Sequence, residues 1–271
     1  MTNAGATDSA LTGDAPLLAV RNLHAAPDDG DVATMPGAAQ GCVLRGVDLT
    51  IGVGELHAIV GDASTAAIGP VLMGSPAHRV TDGSIHLRGD DVTDWPVDER
   101  AKAGLFLSFP RPTPIPGVSV RRLLHRAESA NARSRSSAQA AHGTAGDWAR
   151  RVGLDADAVD SPAAGDLSEH QSELQPLTEI VQLAVLQPAL AVLDLTDSPS
   201  DAAVARAVRL VCSERPHMAV LLIAPSPRLL AEIAPHRVHS FVGGRIVASG
   251  GLELTQQLER SDHESFQKVG V

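Results

Sequence analysis

The sequence has no tyrosine, and aromatic residues make up 2% of its 271 positions. A core resting on stacked rings is excluded, so Ala, Val, Leu and Ile must fill it, as in a sheet covered by helices. Cysteine is also scarce. Cys42 and Cys212 give neither a disulfide framework nor a metal-ligand spacing, and they read as two reduced, buried thiols. No apolar run approaches the ~20 residues that span a bilayer. No basic-then-apolar leader opens the chain, and a soluble, cytoplasmic protein is expected. Positive charge is short as well: 22 Lys and Arg stand against 32 Asp and Glu, a net charge of −10. That argues against a general nucleic-acid surface and leaves room only for a local basic patch.

The 44% of hydrophobic residues is enough for a sizeable core, and the length suits one large α/β domain or a core with a subdomain. Residues 1–15 are small and polar and are expected to be a disordered tail, with one domain over 16–271. Leu17 to Arg21 reads as a strand, Ala25 to Gln40 as a loop, and Cys42 to Ile51 as the next strand. In DWPVDERAKAG (94–104), Asp94 is placed to cap a helix with Pro96 at its first position. PRPTPIPG (110–117) holds four prolines and marks a boundary, beyond which 118–130 reads as a helical region. From 190 on, apolar strands at 190–195 and 218–224 alternate with helices at 201–213 and 228–233. A hairpin around Gly243-Gly244 and a last helix at 253–260 follow. The alternation implies a parallel sheet flanked by helices.

The stretch ELHAIVGDASTAAIGPVLMG (55–74) runs from an apolar strand through Gly61 into a small-residue loop. A phosphate-binding loop has this layout but ends in Gly-Lys-Ser/Thr. Its backbone N–H groups face phosphate, its lysine adds charge and its hydroxyl helps to hold magnesium. Counted from Gly61, those last three positions are Ala66, Ala67 and Ile68. Gly69-Pro70 suggests a short helix that begins only at Pro70. Locally, a stripped phosphate loop and an unrelated turn remain equally open readings.

Taken in order, several segments resemble the SufC-like ATPase subunits of the SUF iron–sulfur cluster assembly system, which are ABC-type ATPases. They are LRGVDLTI (44–51), GELHAIVG (54–61), VTDGSIHLRGDDVTD (80–94), IPGVS (115–119), LQPALAVLDLTDS (186–198) and RLLAEIAPHRVHSFVGGRIVASGG (228–251). The resemblance spans roughly 17–266. It implies an α/β P-loop NTPase fold of the ABC type: a RecA-like core, an antiparallel β subdomain and a helical subdomain. It implies ATP and magnesium as the family's cofactors, and SufB/SufD-like proteins as partners. Residual matches to the nucleotide and magnesium motifs fall at Gly61, Ser168 and Asp194. The partner surface falls at Ile115, Pro116, Gly117, Val118 and Ser119 with the helix beyond.

The departures matter as much. Against the same resemblance, Pro110 takes the Q-loop glutamine position, LSEHQ (167–171) replaces the glycine-bearing signature, Leu195 takes the catalytic glutamate position and Pro225 the switch histidine. A lost lysine–phosphate bond costs roughly 1.5–3 kcal/mol. A lost acid–base group costs about 10²–10⁴ in rate. The implied reading is a pseudo-ATPase that serves as a scaffold, with no metal site and no catalytic residue. A working ATPase with atypical motifs is the alternative, and an intact ABC homologue an alternative partner. His236 and His239 read as structural rather than as a metal pair, and Arg121, Arg122 and Arg126 as one basic helix face.

Overall fold

The alternation over 190–224 closes into the middle of a six-stranded sheet. The structure is a computed structural model that describes residues 15–28, 44–108, 119, 121–122, 125–126, 129, 144–154, 169–196, 202–224 and 227–261. In chain order the strands are β1 (Leu18–Pro27), β2 (Leu44–Ile51), β3 (Leu56–Gly61), β4 (His78–Leu87), β5 (Asp90–Asp91), β6 (Leu105–Leu107), β7 (Leu190–Asp194), β8 (Ala219–Ile223), β9 (Arg237–Val242) and β10 (Arg245–Gly250). The α-helices are α1 (Ile68–Met73), α2 (Val97–Lys102), α3 (Ala145–Val152), α4 (Glu169–Leu186), α5 (Ala202–Glu214), α6 (Pro227–Ile233) and α7 (Leu252–Ser261). A 3₁₀ turn, Ala63–Ala67, leads into α1.

The larger sheet runs β10-β9-β3-β8-β7-β6, and the smaller β2-β1-β4-β5. Pairs β3–β8, β3–β9, β6–β7 and β7–β8 are parallel, whereas β9–β10 and every pair of the small sheet are antiparallel. Every residue of β7 and β8 is buried, as expected of a parallel sheet covered on both faces. Alternate side chains feed two cores. Ala191, Leu193, Val220 and Leu222 pack with α3 to α6. Val192, Leu221, Ile223 and Ile59 pack with α1 and the small sheet. Burying one such side chain fully stabilises the fold by about 1.5–3 kcal/mol, which is how a chain without tyrosine holds its layers together. Trp148 of α3 is the large exception: it is buried, with the Arg151 and Arg215 guanidinium groups 4.4 and 5.0 Å from its ring.

Several element boundaries differ from the sequence reading. Strand β1 continues to Pro27, because pairing with β4 carries it past Arg21 to Pro27↔His78. Asp94 does not cap α2. Pro96 is the N-cap and makes no side-chain cap bond, while Asp98 and Glu99 occupy the first turn. Helix α1 begins at Ile68, so Pro70 is its third residue, where the missing N–H is still one of the unpaired first-turn donors. Helix α4 extends back to Glu169 and contains Pro176. Helix α3 is closed at its start by a reciprocal bond pair, in which Thr144 Oγ1 accepts from Asp147 N and the Asp147 carboxylate accepts from Thr144 N.

Candidate functional site

Parallel strands leave their carboxyl ends at one edge of the sheet, where ligands of open α/β folds gather. The register aligns Ile59, Ile223 and Asp194 across β3, β8 and β7. Ile59, two residues before the end of β3, and Asp194 are therefore two strand spacings apart, about 10 Å. Gly61 closes β3 opposite Phe241 of β9. A Cβ there would lie 1.9 Å from the Phe241 carbonyl oxygen and 2.7 Å from its carbon, so the glycine admits the backbone of the next strand.

The loop after Gly61 is organised by Asp62. Its carboxylate accepts from Ser64 N at 2.9 Å, from Gly243 N at 2.7 Å and from the Ser64 hydroxyl. The Asp62 carbonyl accepts from Thr65 Oγ1 at 2.9 Å, and Ser64 Oγ accepts from Gly244 N at 3.0 Å. One acid thus caps the 3₁₀ turn and ties it to the β9–β10 hairpin, whose two glycines both have positive φ. Burial raises the Asp62 value, but the bonds from Ser64 and Gly243 outweigh it and hold the carboxyl below the ordinary aspartate value. Beyond the turn, Ala67 and Ile68 are buried in the core shared with the small sheet. A Cβ on Gly69 would lie 2.7 Å from Leu107 Cδ1, so α1 sits close against the sheet.

The far end of α1 is held by a buried cation. Arg100 donates from Nη1 to the Val71 and Leu72 carbonyls at 3.0 and 2.7 Å, from Nε to Trp95 O at 2.9 Å and from Nη2 to Thr93 O at 2.6 Å. The helix C-terminus, with its unpaired carbonyls, suits a positive charge.

Asp194 is buried at the end of β7. Its Oδ1 accepts from Thr196 N at 3.0 Å and Thr196 Oγ1 at 2.6 Å, and its own N–H donates to Ser108 Oγ at 2.9 Å. Leu195, 2% exposed, turns away into the helix-side core, and its N–H donates to Ile223 O. Ser119 Oγ accepts from Arg122 N. Ser168, Ile115, Pro116, Gly117 and Val118, together with Pro110 and Pro225, lie outside the described residues. Cys42 does too, whereas Cys212 is half-buried against the helix-side core, where burial pushes its thiol up to about 11.

A second polar array lies where β3, β9 and β10 meet. Glu55 Oε2 accepts from Gly52 N at 2.6 Å and lies 3.1 Å from His57 Nε2. His57 Nδ1 is 3.1 Å from His239 Nε2, and His239 Nδ1 is 2.7 Å from Ser249 Oγ. An ionised carboxylate only accepts, so His57 carries its proton on Nε2 and accepts at Nδ1. His239 must then donate from Nε2 and accept the Ser249 hydroxyl. Burial lowers His57 by more than Glu55 raises it. It pulls His239 down to about 3, with the charges of His57 and Arg237 acting in the same direction. His236, just before β9, instead accepts from Leu56 N at 2.9 Å, so His236 and His239 serve different partners. No cluster of three or more metal-ligating side chains occurs among the described residues. Sequence reading missed Asp62, Ser64 and His57, and it set His239 beside His236 rather than its actual partner, His57. The Asp-x-Ser after a strand glycine was a legible turn signal, whereas His57 and His239 are 182 residues apart and meet only through strand pairing.

Two sheets, one mixed and largely parallel and one antiparallel, with a glycine-to-helix turn at the parallel edge, define an α/β fold of the P-loop ATP-binding-cassette class. The nucleotide-free ATP-binding cassette of an ABC transporter superposes with a TM-score of 0.65 over 95% of this chain and 99% of that one, at 16% identity. Vegetative protein 296 of Bacillus subtilis is 35% identical, covering 84% of this chain and 89% of its own. The chloroplastic ABC transporter I family member 6 of Arabidopsis thaliana is 32% identical, with 94% and 74% covered. The iron–sulfur cluster assembly protein SufC of Plasmodium falciparum is 26% identical, with 93% and 72% covered. No family model matches the chain. The chain belongs to the ABC ATPase family.

Proposed function

We propose that this protein is a SufC-like subunit of iron–sulfur cluster assembly that acts as a pseudo-ATPase, a cytoplasmic scaffold for SufB/SufD-like partners. The observation that carries the reading is the filled loop after β3. Ser64 N and Gly243 N already donate to the Asp62 carboxylate. Ala67 and Ile68, aligned by the resemblance with lysine and hydroxyl, are buried apolar residues, and no cationic side chain occurs between Gly61 and Ile68. Leu195, aligned with the catalytic glutamate, packs into the core. This set does not fit a magnesium–triphosphate: a fixed carboxylate would repel phosphate, and Asp194 is already committed to Thr196. Gly61, Ser168 and Asp194 remain as residual matches to the nucleotide motifs.

The likeness to Plasmodium SufC supports the cluster-assembly role. No helix among the described residues is long and apolar enough to cross a membrane, in keeping with work beside other proteins rather than as a span. Partner contact is assigned to Ile115–Ser119 and the helix beyond, in a helical subdomain over about 110–185. Because LSEHQ lacks the glycines that let a backbone approach phosphate, an intact ABC ATPase homologue suits a head-to-tail pairing better than a second copy does. Calorimetry with millimolar ATP, with and without magnesium, is expected to give no binding heat, and the chain to co-purify with SufB/SufD-like proteins. Hydrolysis above background that Asp194→Asn abolishes would overturn the pseudo-ATPase, and failure to co-purify would overturn the scaffold.

A further inference from the structure

The net charge of the protein is −10, yet a basic face stands out among the described residues. Arg121, Arg122, His125 and Arg126 are helical and exposed, and with Ser119 and Ser129 they line a groove of about 410 Å³. Residues 122, 125, 126 and 129 share a face at helical spacing. Both hydroxyls are tied to the helix backbone, Ser119 accepting from Arg122 N at 3.3 Å and Ser129 donating to His125 O at 2.9 Å. Recognition along the groove therefore falls to guanidinium and imidazole groups. None of the six lining residues is acidic, and the sequence from 119 to 135 has five arginines against a single acid, Glu128.

We propose that this groove docks an acidic segment of a protein partner. The inference rests on the scaffold reading above and gives the chemistry of its contact. Arginine presents a planar fork that pairs with a carboxylate through two parallel bonds, which suits aspartate and glutamate side chains. The helical residues Arg122 and Arg126 are four apart, a rise of about 6 Å along an α-helix axis, close to the ~7 Å between alternate residues on one face of an extended segment. A longer polyanion such as nucleic acid would run beyond the patch onto a chain that is acidic elsewhere. Repulsion there acts over about a Debye length, ~10 Å at 0.1 M salt.

The test uses the full chain and a fluorescent decapeptide of glutamate and serine, followed by anisotropy. Binding is expected at low salt and should weaken as salt rises. The charge reversal R121E/R122E/R126E should weaken it by at least about tenfold, while R121K/R122K/R126K, which keeps charge and loses the fork, should retain part of it. All three positions are exposed, and a circular dichroism melt matching the parent confirms folding. Absence of binding by the parent chain, equal binding by the reversed variant, or equally tight binding of a ten-nucleotide single-stranded DNA would each overturn the proposal. Peptide binding without capture of a SufB/SufD-like protein would remove the scaffold reading alone. Capture of that partner by parent and reversed variant alike would remove the groove alone.

Discussion

The middle of the six-stranded sheet and its carboxyl edge are made by the same strands but answer to different demands. In the middle, β7 and β8 need only apolar side chains that fill two cores, and they are buried at every position. At the edge, an ATP-hydrolysing cassette would need a lysine, a hydroxyl and a glutamate at fixed points. The positions proposed to align with them, Ala67, Ile68 and Leu195, are all within a few per cent of full burial. Apolar packing is non-directional and tolerates many residues, whereas phosphoryl chemistry depends on particular groups in particular places. In this chain that edge is held together by Asp62, which binds the loop to the hairpin.

The sharpest break in that comparison is Gly61→Ala. If Gly61 serves the sheet, the new Cβ, 1.9 Å from a backbone oxygen, should cost about 4 kcal/mol or more. Equilibrium denaturation checks this, and a near-neutral result would return the glycine to the loop. Ala67→Lys tries to restore the edge chemistry. A lysine at a position 2% exposed should cost about 3 kcal/mol and still bring no ATP binding by calorimetry. A stable variant that bound ATP would mean that the edge is open rather than filled.

Acid should act next, through the hydrogen-bonded histidines between β3 and the hairpin. Both have folded values below the unfolded 6.5, so the unfolded chain takes up protons first as pH falls. Stability is full above about pH 6.5 and declines below it, for His239 until its folded value near 3. His239 alone should remove about 2 kcal/mol between pH 6.5 and pH 5. Chemical denaturation across that range checks this, and His239→Gln should flatten the slope. The smallest effect belongs to Asp62→Asn, which leaves one oxygen acceptor and places an amide beside donors. It should cost about 1 kcal/mol and speed amide exchange at Ser64 and Gly243, with β7 and β8 unchanged.

Much of this organisation was legible from residues alone, for definite reasons. The strands at 190–194 and 219–223 were visible as unbroken apolar runs, and the hairpin as Gly243-Gly244 between such runs. Helix starts were less legible. Asp94 has the right chemistry for a cap, yet the chain turns at Pro96. Pro70 marks a first turn but not its first residue. Arg100 was unreadable as a structural cation, because its four carbonyl partners come from two separate segments, at 71–72 and 93–95.

By itself the sequence determined the class of core, a branched and aliphatic one covered by helices, since it has almost no rings to stack and no cysteine framework to lean on. It determined too that no lysine follows Gly61, since that is a matter of composition along eight residues. Only the tertiary structure decided how the loop after Gly61 is held. Asp62 reaches Gly243 across 181 residues, and His57 reaches His239 across 182, because parallel pairing of β3 with β9 brings them together. Local residue patterns carry periodicity and turn chemistry, but partners that distant are chosen by strand order and register.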